Sequence, residues 1–230
     1  VATARALKYH GGVPVKEVKE ENVDALKKGL ENLEKHIENI QSYKLPVIVA
    51  INSFEADSDA EHQAIAEKCE SLGVQAVKSE GFAHGGKGTE KLAQSLVDLI
   101  GNSDSSDFTP VYDWESGMED KINAIATKIY GASAVEYSSQ AKKDLKRIDR
   151  LGLNHLPVCI AKTQKSFSDD ASLKGRPRDF EISIREIEIA AGAGFVVPIA
   201  GNMMRMPGLP SVPSANKMDI DSNGKITGLT

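Results

Sequence analysis

The run LPVIVAI, residues 45–51, is apolar from end to end and shows no alternation. That is how a strand covered on both faces of a parallel sheet reads. Its flanks decide the rest. Upstream, Val23, Leu26, Leu30, Leu33, Ile37 and Ile40 are spaced by 3, 4, 3, 4 and 3 residues, which predicts an amphipathic helix over 22–41. Downstream, a second helix over 57–72 opens on Asp57-Ser58-Asp59, residues suited to capping. VQAVKS (74–79) reads as a second strand, GFAHGGKG (81–88) as a glycine-rich turn, and 89–100 as a third helix with Leu92, Leu96 and Leu99 on one face. Helices alternating with strands predict an α/β domain with a parallel sheet and flanking helices.

The composition then shifts. GNSDSSDFTP (101–110) is polar, with Gly and Pro at its ends, and reads as a linker. The expected division is an α/β domain over 1–105 and a smaller α+β domain over 106–230. In the second part, 115–130 and 138–151 read as helices and PVCIAKT (157–163) as a strand. FEISIREIEIA (180–190) alternates through Ile182 and Ile184, slips, and resumes at Ile187 and Ile189. That predicts an antiparallel strand with one wet face and a bulge. FVVPIA (195–200) contains Pro198, which puts it near a sheet edge.

Composition narrows the function. The 230 residues carry a net charge of −5 and no basic stripe, which argues against nucleic acid as a partner. No apolar run reaches the roughly 20 residues of a membrane span, and no secretory signal opens the chain. Cys69 and Cys159 lie far apart in apolar-periodic segments and are expected to be reduced, buried thiols of a cytoplasmic protein. The five histidines show no metal-ligand spacing, and the Asp169-Asp170 pair reads as a turn feature. No catalytic or metal-binding residue is therefore assigned. The opening VATARALKYHGG (1–12) has no methionine and reads as a segment already under way, as though part of a longer chain.

Three stretches carry candidate chemistry. Gly81, Gly86 and Lys87 fit the phosphate-binding pattern G-x-x-x-x-G-K-[ST], but Gly88 replaces the hydroxyl residue that would hold magnesium. The residues favour a glycine-rich crossover turn, leaving a weaker anion site open at the next helix. DIDSNGKITGLT (219–230) starts like a calcium loop, yet its twelfth residue is Thr230 rather than Glu, so a terminal hairpin is the better reading. Asn52 ends the first strand, at the sheet edge where α/β proteins bind ligands, and offers both donor and acceptor. Phe54 and Phe82 follow the two strands. On adjacent strands their rings either clamp a flat heterocycle or fold back over the sheet.

Together these segments resemble the formate–tetrahydrofolate ligase family over essentially the whole chain. VATARALKYHGG is similar to the family signature V-A-T-[IV]-R-A-L-K-x-[HN]-G-G, with Ala4 departing from it. KGLENLEKHIENI, LPVIVAINSF, KIYGA, LPVCIAKTQKSFSDD, GAGFVVPIAGNMMRMPGLP and DIDSNGKITGL resemble further stretches. The resemblance implies the C-terminal part of an enzyme more than twice as long, with its P-loop upstream, in a P-loop NTPase-like domain. It implies a reaction in which ATP activates formate to formyl phosphate and tetrahydrofolate is then formylated to 10-formyltetrahydrofolate. Mg2+, a monovalent cation and a tetrameric homo-oligomer are implied as well. The ring slot is implied at Phe54 and Phe82, with Asn52, Glu55 and Lys78 beside it. Phe82 stands where the family has Trp, and Glu55 where Pro is common. The alternative is a non-catalytic folate- or nucleotide-binding or oligomerisation module, and a third reading is an inactive fragment.

Overall fold

The computed structural model describes residues 1–102, 108–203 and 212–228. The middle of the expected linker, most of NMMRMPGLP, and Thr230 of the calcium-like loop lie outside the described residues. Two apolar clusters organise the chain. One is built from residues between Ala2 and Val74, the other from residues between Met118 and Ala200.

The first cluster surrounds β1 (Ile48–Asn52) and β2 (Gln75–Ser79), which pair in parallel with Ile48 opposite Gln75 and Asn52 opposite Ser79. Ala2 adds a bridge on the other side of β1, its N–H donating to Ala50 at 2.8 Å and its carbonyl accepting from Asn52 at 2.9 Å. The opening residues are thus a strand end. Thr3 then caps α1 (Ala4–His10) by accepting from the Ala6 N–H. Ile48 and Ala50 are only half-buried, so β1 is less enclosed than its apolar run predicts. The helix at the end of this unit gives one reason: α5 (Glu90–Gly101) buries none of its residues.

α1 lies against α2 (Val23–Gln41) at close range. A Cβ on Gly29 would come within 1.9 Å of the Leu7 carbonyl oxygen, and one on Gly11 within 1.7 Å of that of Ala25. Glycine is therefore required on both sides of the crossing. α3 (Asp59–Ser71) starts with a capping box between Ser58 and Glu61. Glu61 is fully buried, as is Lys8 of α1, and the two form an ion pair of 2.7 Å.

The second cluster packs α6 (Met118–Ala124), its π-helical extension over 125–130 and α7 (Ser139–Arg150) on a three-stranded sheet. The strand order is β3 (Ala134–Tyr137), β4 (Glu181–Ala190), β5 (Phe195–Ala200). β4 runs parallel to β3 and antiparallel to β5, so the wholly antiparallel setting expected for it holds on one side only. The short strand β3 was not read from the sequence. The register shifts between Ile184 and Glu186, the expected bulge, which returns Ile187 to the core. PVCIAKT is not a regular strand, yet it runs alongside β5 through bridges at Val158 and Ala161 and through backbone hydrogen bonds that join Pro157, Cys159 and Ala161 to Val196, Pro198 and Ala200. Its neighbour β5 carries Pro198, which has no N–H for a ladder. Cys159 on this segment is exposed, not buried as expected, while Cys69 is buried and free. Asp170 accepts the Ser172 N–H, the expected turn feature, whereas Asp169 accepts the N–H of Ser183 and ties the loop to β4. β6 (Asp219–Ile220) and β7 (Ile226–Thr227) form the expected hairpin.

The buried pair sets an acid limit. Burial alone would raise the Glu61 carboxyl, but hydrogen bonds from Lys8, Asn22 and Ser58 outweigh it and hold the group below its usual 4.5. The resulting stability is present above about pH 4.5 and is lost as pH falls through the folded-state value. Unfolding by urea at a series of pH values should show Glu61→Gln losing about 3–5 kcal/mol at pH 7 and less of the acid dependence. Gly29→Ala should lower stability by about 1–3 kcal/mol through overpacking, read from the thermal midpoint.

Candidate functional site

Because β1 and β2 are parallel neighbours, the loops after them share one edge of the sheet. The first loop leaves β1 at Asn52 and turns over 54–57, where the Asp57 carboxylate accepts the Phe54 N–H at 2.9 Å. Asp57 directly precedes the capping residue of α3, so this turn is fixed by the helix behind it. The second loop leaves β2 through Glu80 into the single helical turn α4 (Gly81–His84), which carries Phe82.

The two phenyl rings meet. Their centroids are 5.8 Å apart and their planes tilted by 49°. A flat heterocycle sandwiched between parallel rings needs about 7 Å, two carbon contacts of roughly 3.5 Å. The rings therefore touch each other here, and a guest would have to part them. Phe82 has the freedom to do so: it is 81% exposed, whereas Phe54 is half-buried.

The remaining sequence candidates lie around this edge. Asn52 is half-buried, its backbone N–H held by Ala2. Glu55 is exposed in the turn beside Phe54. Lys78 is exposed and pairs with Glu80 at 3.1 Å. Three groups at this edge were not foreseen. The Arg5 guanidinium lies 4.1 Å from the Phe54 ring centroid, a cation–π stack. Behind the turn, the His62 Nε2 is 3.8 Å from the Asp57 carboxylate, and neither ring nitrogen of His62 has a hydrogen-bond partner. Arg5 was legible in principle, since it lies just past a strand end on the same sheet edge. Seeing it required recognising residues 1–3 as that strand end.

The P-loop-like stretch takes a different form. Residues 81–84 are helical and 85–89 form a 3₁₀ turn. The Ala83 and His84 N–H groups donate to the Glu80 carbonyl and are not turned toward a common anion. A Cβ at Gly88 would stand 2.4 Å from that same carbonyl oxygen, and Gly88 itself accepts the Glu80 N–H. Packing against Glu80, not phosphate binding, explains the glycine where the motif needs Ser or Thr.

The family profile of formate–tetrahydrofolate ligase matches residues 1–230. The chain belongs to the formate–tetrahydrofolate ligase family. It is 51% identical over 230 residues to the formate–tetrahydrofolate ligase of Limosilactobacillus reuteri subsp. reuteri (strain JCM 1112). It is 49% identical over 229 residues to that of Limosilactobacillus fermentum (strain NBRC 3956 / LMG 18251). All of this chain is covered in both comparisons, but it spans only 41% of the length of each relative. No helix among the described residues is long and apolar enough to cross a membrane.

Gly88→Ser completes the phosphate motif letter for letter. It is expected to lower the thermal midpoint and to add no affinity for MgATP in calorimetric titration.

Proposed function

We propose that this chain supplies ring recognition to a formate–tetrahydrofolate ligase, in which ATP activates formate to formyl phosphate and tetrahydrofolate is formylated at N10. The observation that carries this reading is the meeting of Phe54 and Phe82 at the carboxyl edge of β1 and β2. An aromatic pair at that edge suits a flat pterin or purine. Stacking holds the ring, and the half-buried amide of Asn52 can read its polar edge. Glu55 and Lys78 border the slot as exposed charges.

The phosphate chemistry is assigned to the part of the enzyme outside this chain. Among the described residues, no group of three or more His, Cys, Asp or Glu side chains is arranged to hold a metal. The groups that hold Mg2+ and the monovalent cation are assigned to that part as well. On this reading the chain needs that part to act as a ligase.

The family resemblance and the 41% span support an N-terminal part that completes a P-loop NTPase-like sheet around β1 and β2. The exposed Leu96, Val97 and Ile100 of α5 give that part an apolar surface to cover. The two separate cores support a division into an α/β domain over 1–105 and a smaller α+β domain over 106–230. The whole enzyme is proposed as a cytoplasmic homo-oligomer, tetrameric as the resemblance implies.

The test is calorimetric titration of the folded 230-residue chain with tetrahydrofolate and, separately, with MgATP. Binding of either ligand is expected, with Phe54→Ala weakening it by roughly tenfold to a hundredfold, the worth of one stacked ring. A folded chain that binds neither ligand, or binds indifferently to Phe54→Ala, overturns the reading.

A further inference from the structure

Arg5 stands apart from the other cations of the sheet edge. Lys8 is spent on Glu61 and on the Glu20 carbonyl, and Lys78 on Glu80. Arg5 forms no ion pair and no side-chain hydrogen bond among the described residues, and its Nε is buried without a partner. A buried donor left unpaired is costly, and a guanidinium carries five donors in a fixed fork. The donor set lacks a partner that a ligand could supply.

Its position says what that is. Thr3 and Ala4 anchor the backbone on either side of the strand-to-helix step, with Ala4 fully buried and Ala2 hydrogen-bonded into β1. The guanidinium is held at 4.1 Å over Phe54, itself pinned through Asp57. The fork is thus fixed at the ring slot. The nearby carboxylates do not meet it: Glu55 is exposed to solvent and Glu80 is engaged by Lys78.

From this geometry we infer that Arg5 is a recognition residue, binding an anionic group that the ring ligand carries. The inference rests on the ring-recognition reading and narrows it, from any flat heterocycle to one bearing a phosphate or carboxylate. Guanidinium matches both anions with paired hydrogen bonds. The anion has two possible sources, a nucleotide phosphate or the glutamyl carboxylate of a folate, and matched probes separate them.

The experiment titrates the 230-residue chain with ADP against adenosine, and with tetrahydrofolate against its diamide, in which both glutamyl carboxylates are neutral. Arg5→Met, Arg5→Lys and Phe54→Ala are measured alongside. Arg5→Met should weaken the anionic member of the responding pair by about tenfold to a hundredfold and its neutral partner by less than about threefold. Arg5→Lys should restore part of the discrimination. In the unsubstituted chain, rising salt should weaken the anionic member alone, a readout that requires no variant to fold. Equal losses for charged and neutral members, or salt-independent binding of both, would reduce Arg5 to a support for the Phe54 ring and overturn the proposal. Binding that depends on Phe54 but ignores charge overturns this proposal alone. Absence of binding by the folded, unsubstituted chain removes the ring-recognition reading and this proposal with it.

Discussion

The sheet edge depends on one buried ion pair. Lys8 and Glu61 are both fully buried, a costly state for two charges unless every remaining donor and acceptor finds a partner. Here most do. Glu61 accepts from Lys8, from the Asn22 N–H at the head of α2 and from the Ser58 N–H at the head of α3. Lys8 also donates to the Glu20 carbonyl. A single carboxylate thereby locks the relative positions of three helices. Arg5 lies one turn before Lys8 on α1, and Phe54 begins the turn that ends at Ser58. The stacked pair at the candidate site is thus carried on the two segments, α1 and the turn before α3, that the buried pair ties together.

α2 extends this constraint to the rest of the chain. Its Leu26, Leu30, Leu33 and Ile37 face the first core. Its Asn32, Lys35 and Asn39 are also buried, on a second stripe, and donate to the carbonyls of Gly175, Lys128 and Ile129. Arg176 adds a bidentate pair with Glu38 at 2.8 and 2.6 Å. Those carbonyls end the π-helical turn and line the loop before β4, where backbone groups have no ladder partner. Polar side chains on α2 satisfy them, which explains why a helix with two buried faces still reads as amphipathic.

The same logic separates what was legible from what was not. α2 is readable from its periodic apolar face and β1 from its unbroken apolar run, although α5, read in the same way as α2, buries none of its residues. The bulge in β4 was readable because the slip between Ile184 and Ile187 breaks a period of two. Missed features lack such a local signal. β3 is four residues long and gains its strand geometry from pairing with β4. PVCIAKT has a strand's composition and exchanges backbone hydrogen bonds with β5, but Pro198 has no N–H to complete the ladder. The adjacency of Phe54 and Phe82 followed from sheet logic. No spacing relates residue 5 to residue 54, and the Arg5 stack follows from the same logic only once residues 1–3 are recognised as a strand end on that edge.

The glycine turn shows why composition and function part company at this edge. A phosphate loop needs several N–H groups aimed outward at one point. Here the N–H groups of Ala83 and His84 close a helical turn on Glu80, and Gly88 packs on the same carbonyl. The turn spends its backbone on holding Phe82 over Phe54. An edge built this way presents ring faces and a side-chain cation, not backbone donors. Such an edge matches the proposed recognition of a heterocycle and of a charge that it carries.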